Sequence, residues 1–312
     1  MSLAERERPM TRLRTWLGRA IVALILAVPI AYFAIGAIAT YRVDDDLATV
    51  VPGPVERPVQ IARTFEMILA REIEHNDWQP NNPWFYPTAL TDDGRNFQLG
   101  VLHGLRRGLL EYATRTMRLR QDGSIDPNLQ RALNLLQYPP NVWVLDLSQG
   151  FGASSRSQYG AALVALRAFE SQADNTRYAD LRADQLQRFI DAINIDLTSH
   201  MLALQDYSSN RNSLFDSSVD DLFYQTKGAA FVYAALAPAI RHDFEPIIAQ
   251  KHLGDLWKQL ETSLRRFAEF KPTLVFSGKP DGLIVPNHLM AQGFYAGRSV
   301  QILMQIEEIL KT

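Results

Sequence analysis

From Ala20 to Ala39 the chain runs twenty residues without a charge, an apolar stretch interrupted by Pro29 and Gly36. As a helix rising 1.5 Å per residue it spans about 30 Å, the thickness of a bilayer's hydrocarbon core. The pattern then changes. Residues 41–58 carry Pro52, Gly53, Pro54 and Pro58, which oppose both helix and central strand, and they read as a stalk. Beyond it the apolar positions recur with helical period. Helices are expected at about 57–76, 95–120, 126–138, 154–174, 182–205, 218–240, 243–270 and 287–311. Leu186, Phe189, Ile190, Ile193, Leu197, Met201 and Leu204 make one clear apolar face. Two β-type stretches stand apart: Val142–Leu147, and Leu274–Phe276 with Leu283–Val285, which flank Gly278–Gly282 as a small hairpin. The expected class is all-α: a transmembrane helix followed by an irregular multi-helix bundle with minor β hairpin content.

The flanks give the span a direction. Arg6, Arg8, Arg12, Arg14 and Arg19 precede it, while Asp44, Asp45 and Asp46 follow. The positive-inside bias places residues 1–19 in the cytoplasm, the anchor at 20–40 in a bacterial inner membrane and the domain at 59–312 in the periplasm. Ala37-Ile38-Ala39 is an acceptable cleavage site, but the run exceeds the roughly 7–15 residues of a signal peptide's apolar core. An uncleaved anchor is therefore expected.

Composition removes several chemistries. There is no cysteine, which excludes disulfides, thiolate metal sites, cysteine nucleophiles and lipoprotein anchoring. Residues 1–42 hold six arginines and two glutamates, a net +4; the whole chain is −2, leaving −6 on the remainder. A mildly acidic domain has no footprint for nucleic acid.

Each sequence motif has a plain structural reading. Glu72 and His75 share Glu-x-x-His spacing, but no second copy exists to complete a two-metal bundle, so a solvated helix face is expected. Gly150-x-Gly152-x-x-Ser155 lacks the third glycine of a dinucleotide loop, and Ser154 or Ser155 reads as a helix N-cap. Asp220 and Asp221 follow Ser217 and Ser218 as a helix start. Asp196 and His200, four apart on a helix, read as a surface ion pair, and His103, His242, His252 and His288 are scattered singly with no ligand spacing. No cofactor and no metal ligand set is expected.

Two features remain as candidate sites. Trp78, Asn81, Trp84 and Tyr86, with Asp92 and Asp93 close behind, resemble a surface that stacks on sugars or peptides. As a glycan-cleaving groove it needs two carboxylates about 5–9.5 Å apart; as a structured loop it needs only its aromatics plugging helix ends. The second feature is a glycine stripe. Gly100, Gly104 and Gly108 lie on one face of a helix, and Gly293 and Gly297 repeat the spacing in the last helix. Each costs about 1 kcal/mol against alanine in a helix interior, so these faces are expected to mark the tightest helix contacts, with each other as one pairing open to them. The Gly293–Gly297 face is as open to a second copy of the chain as to the core.

The single span, with Trp78-Gln79-Pro80-Asn81, Phe97-Gln98-Leu99-Gly100-Val101 and Gln292-Gly293-Phe294-Tyr295-Ala296-Gly297-Arg298, resembles a bacterial family defined as a domain of unknown function. The resemblance implies an inner-membrane protein and brings no activity with it. The expected role is an anchored envelope protein that binds a partner protein or envelope polymer. The alternative is an anchored hydrolase of cell-wall glycan.

Overall fold

The computed structural model describes residues 3–40, 43–50, 60–119, 123–146, 150–172, 182–210, 217–272, 275 and 287–311. The fold is helical. The first helix, α1 (Leu3–Thr40), contains one stretch apolar and long enough to cross a membrane, Thr15–Ile38, none of which is buried in the protein. Then follow α2 (Gln60–Ala70), α3 (Asp93–Leu119), α4 (Pro127–Leu136), α5 (Ser155–Gln172), α6 (Ala183–Asn210), α7 (Ser217–Asp243), α8 (Glu245–Gln250), α9 (Gly254–Glu269) and α10 (His288–Lys311).

Helix α7 is the axis of the domain. Its middle, Ala229–Ala237, is apolar on every side and buried throughout, as a helix without a solvent face must be. α3 packs most extensively on it, with α9 and α2 against other sides. α6 pairs with α10 and α4 with α5. The carboxylate of Asp243, at the end of α7, accepts the Gln60 and Ile61 N–H groups at the start of α2, both at 3.1 Å. This capping ties two elements far apart in sequence.

The α3–α7 crossing rests on glycine. A Cβ at Gly100 would overlap the Gln225 carbonyl, and one at Gly228 would overlap the Phe97 carbonyl. A Cβ at Gly104 would come within 2.9 Å of Val232, and one at Gly108 within 3.0 Å of the Phe65 ring. The α3 stripe therefore marks a tight contact as expected, but its partner is α7. The α10 pair behaves otherwise. A Cβ on Gly293 would meet nothing nearer than Leu204 at 3.9 Å, and one on Gly297 meets only the Met201 sulfur at 3.2 Å. These two glycines line an open groove between α6 and α10 of about 490 Å³, with Met290 and Phe294 beside them.

Other expectations change. The stalk is not free over its first half. Val43, Leu47 and Val50 are buried in the domain core. Asp44 binds the buried Arg71 at 2.9 Å, and Asp45 binds Lys227, which is fully buried, at 2.7 Å and Lys271 at 3.1 Å. Apolar side chains alternating with aspartates are what dock it; residues 51–59 lie outside the described residues. The helix expected at 243–270 breaks into α8 and α9 at His252, whose φ of 53° no helix tolerates. The β hairpin expected at 274–285 finds no support, since all of it but Val275 lies outside the described residues. Strand pairing among the described residues is a two-residue antiparallel ladder, with Leu145 opposite Phe151 and Asp146 opposite Gly150.

Candidate functional site

The aromatic segment after α2 begins with a π-helical turn, Arg71–His75. The widened turn rotates Glu72 inward, so the Glu-x-x-His pair is not a solvated face. Glu72 is buried against Arg71 at 2.7 Å and Gln98 at 2.9 Å, while His75 stays outside. Burial raises the Glu72 pKa above the usual carboxylate range, against the pull of Arg71 and Gln98. Arg71 lies over the Phe231 ring at 4.5 Å, so its charge is met on several sides.

The candidate surface divides into anchors and exposed groups. Trp78 is buried; its indole N–H donates to the Pro140 carbonyl at 2.8 Å and its ring meets Tyr159 edge-on at 5.0 Å. Asn81 is buried and reaches the Val142 carbonyl at 3.4 Å. Both fasten the loop to residues 140–142. Trp84, 81% exposed, and Tyr86, 39% exposed, face outward. Phe85 packs edge-on against Trp143 at 5.7 Å.

Between this loop and residues 143–156 lies a cleft of about 430 Å³. Tyr86 and Trp143 supply aromatic walls, Asn76, Asn82 and Gln79 supply amides, and Asp77 and Arg156 form an ion pair at 2.6 Å. Asp77 holds φ 52°, a conformation that asparagine and aspartate adopt more readily than other residues. Trp143, read from sequence only as part of a β-type stretch, is the residue missed; a tryptophan three residues after Pro139-Pro140 is its local signal.

Asp92 and Asp93 do not enter this cleft. They stand at the start of α3, where an oxygen of each lies within 4.8 Å of Asp220 from the first turn of α7. Asn96 donates to Asp221 at 2.6 Å. Burial and then Asp93 push Asp220 up to about 8, and burial also raises Asp93 and Asp221. The positive ends of two helix dipoles meet here, which favours negative charge and opposes the mutual repulsion. The aromatic wall and the acidic pair are therefore separate places. Among the described residues lining the cleft, Asp77 is the one carboxylate.

The capping reading of Gly150–Ser155 holds. Ser154 Oγ accepts the Ser157 N–H at 3.1 Å, and the buried Ser155 Oγ donates to the Pro139 carbonyl at 2.7 Å. Asp196 and His200 are not a surface ion pair: Asp196 is buried and also binds His103 and Tyr233. Comparison of the chain with protein-family models, curated proteins and solved structures finds no match, so function is argued from this geometry.

Proposed function

We propose that this is a single-span protein of the bacterial inner membrane, with its N-terminus cytoplasmic, whose periplasmic domain binds a glycan-type envelope polymer in the Tyr86–Trp143 cleft without cleaving it. The orientation rests on the arginines before the span and the aspartates after it. The cleft carries the binding reading. A sugar ring offers an apolar face of C–H groups and a rim of hydroxyls. Tyr86 and Trp143 match the first, and the Asn76 and Asn82 amides match the second. The volume suits one or two rings. Hydrolysis would require a second carboxylate opposite Asp77, and Arg156 already pairs with Asp77.

Co-sedimentation of the full-length protein in detergent with purified peptidoglycan tests this. Tyr86→Ala and Trp143→Ala should each lower the bound fraction about tenfold, a loss of about 1.4 kcal/mol. Soluble fragments should not accumulate during incubation. Binding unchanged in both variants would overturn the cleft, and released fragments would overturn the non-catalytic role.

A further inference from the structure

Helices α3, α6 and α7 bring three side chains to one carboxylate. Asp196 on α6 is 8% exposed. Its Oδ1 accepts from His103 Nε2 on α3 at 2.7 Å, and its Oδ2 accepts from the Tyr233 hydroxyl on α7 at 2.6 Å. His200, one turn along α6 from Asp196, turns Nε2 to the same carboxylate at 3.5 Å. That nitrogen is buried and makes no hydrogen bond. The two imidazoles stand nearly perpendicular with centroids 5.4 Å apart.

This is more than an ion pair requires. His103 alone would satisfy Asp196, and a second imidazole left without a hydrogen bond beside it costs desolvation. The three ligand atoms, two imidazole nitrogens and a carboxylate oxygen, all lie within 4.8 Å of one another. A tetrahedral zinc ion with bonds of about 2.0–2.2 Å sets its ligand atoms roughly 3.3 Å apart. His103 Nε2 stands 2.7 Å from Oδ1 and the third ligand atom, on His200, lies within 4.8 Å of both, so side-chain rotations bring the set to that spacing. Imidazole and carboxylate are the donor types of zinc and its first-row neighbours. Of the nearby cations on α3, Arg106 is engaged by the Leu136 and Tyr138 carbonyls at 2.6 and 2.9 Å; Arg107 also faces the cluster. A bound divalent ion offsets the desolvated carboxylate more fully than a shared proton does.

We propose that His103, Asp196 and His200 form a binding site for one divalent first-row transition ion, zinc by preference. Tyr233 orients Asp196 through the carboxylate oxygen the ion leaves free, the role such outer partners play in metal sites. The fourth position opens to solvent, because His103 is 53% exposed. The ion would clamp α3 to α6.

The experiment uses full-length protein purified without a histidine tag, stripped by chelator and titrated with zinc by calorimetry and with cobalt by visible absorption. One zinc per chain is expected, and the cobalt form should show the intense absorption of tetrahedral coordination. Removing a ligand by His103→Ala or His200→Ala should weaken affinity at least about a hundredfold, and Tyr233→Phe about ten- to a hundredfold. His103→Gln keeps a hydrogen-bond donor to Asp196 without an imidazole ligand; it should hold the apo melting temperature yet lose zinc. His75→Ala, at an exposed histidine, should change nothing. Zinc affinity unaltered in His103→Gln and His200→Ala, or lost equally in His75→Ala, would overturn the site.

Discussion

Asp220 shows what a single residue's surroundings do to a pH profile. In the unfolded chain its carboxyl titrates near 3.8; folded, burial and Asp93 push it up to about 8. Below about pH 4 both states hold the proton. Between pH 4 and 8 only the folded state keeps it, so the unfolded state is favoured progressively as pH rises. Asp220→Asn removes that loss. Its melting temperature should exceed the wild type's at pH 8, and the gap should close toward pH 4, as followed by differential scanning fluorimetry. A gap of equal size at both pH values would mean that Asp220 does not titrate in this way. The sequence announced Asp220 as part of a helix start, and it is one. It did not announce the charge cluster, because Asp92 and Asp93 reach Asp220 only when two helix N-termini meet in space. His103 and Asp196, 93 positions apart, were illegible for the same reason. Local spacing reports one face of one helix and is silent about what that face meets.

Among the elements, the glycine stripes separate what periodicity reveals from what packing adds. Three glycines in register on α3 correctly signalled a close neighbour, since glycine's cost in a helix is offset only by contact. The neighbour is α7, through Gln225, Ala229 and Val232; its own Gly228, a lone glycine that no stripe marked, lies against Phe97 and Val101 of α3. Gly293 and Gly297 carry the same spacing and meet only the Leu204 and Met201 side chains beside the groove, so the pattern states an allowance for approach and not a partner. Two substitutions should therefore diverge. Gly100→Ala drives a methyl into the Gln225 backbone, which cannot yield without spreading α3 from α7, and should cost about 1–3 kcal/mol even after the gain in helix propensity. Gly293→Ala has room and should be neutral or stabilise by up to about 1 kcal/mol. Denaturant unfolding of the two variants measures both signs. A neutral Gly100→Ala would mean the crossing is looser than the approach of Gly100 to the Gln225 carbonyl requires. Helix positions were otherwise legible because each has an apolar stripe or, in α7, an apolar run. The break at His252 was not, since no proline or glycine sits at that residue to mark it.

At the scale of the whole molecule, the placement of α1 decides how the domain meets a membrane. Thr40 ends α1 and Val43 is already buried in the core, three Cα steps that reach about 11 Å at most. The ion pairs of Asp44 and Asp45 fix that start, so the domain has no slack with which to stand off. A second contact acts in the same sense. The 3-10 turn Pro87–Leu90 lies against α1, and Gly36 is where the Pro87 ring fits; any side chain there would collide with it. Gly36 lies two residues, about 3 Å of rise, before Ile38 closes the apolar stretch. With α1 across a bilayer, Pro87 is held at the boundary of hydrocarbon and headgroups. Trp84, Phe85 and Tyr86 immediately precede it, exposed and stacked edge to edge or tilted. Tryptophan and tyrosine favour that boundary because their rings are apolar and their tips polar. Trp84 should therefore sit in the lipid interface, with the Tyr86–Trp143 cleft opening just above it. The absence of native cysteine makes the test clean, since Trp84→Cys gives one thiol per chain for an environment-sensitive fluorophore. In vesicles holding the full-length protein, its emission should shift to the blue and be quenched more by a nitroxide near the headgroup than by one at the chain end. The same label at Asp255→Cys, a fully solvated side chain on α9, should report water. Water-like emission from position 84 would mean that the domain stands clear of the bilayer and that its aromatic edge serves another surface.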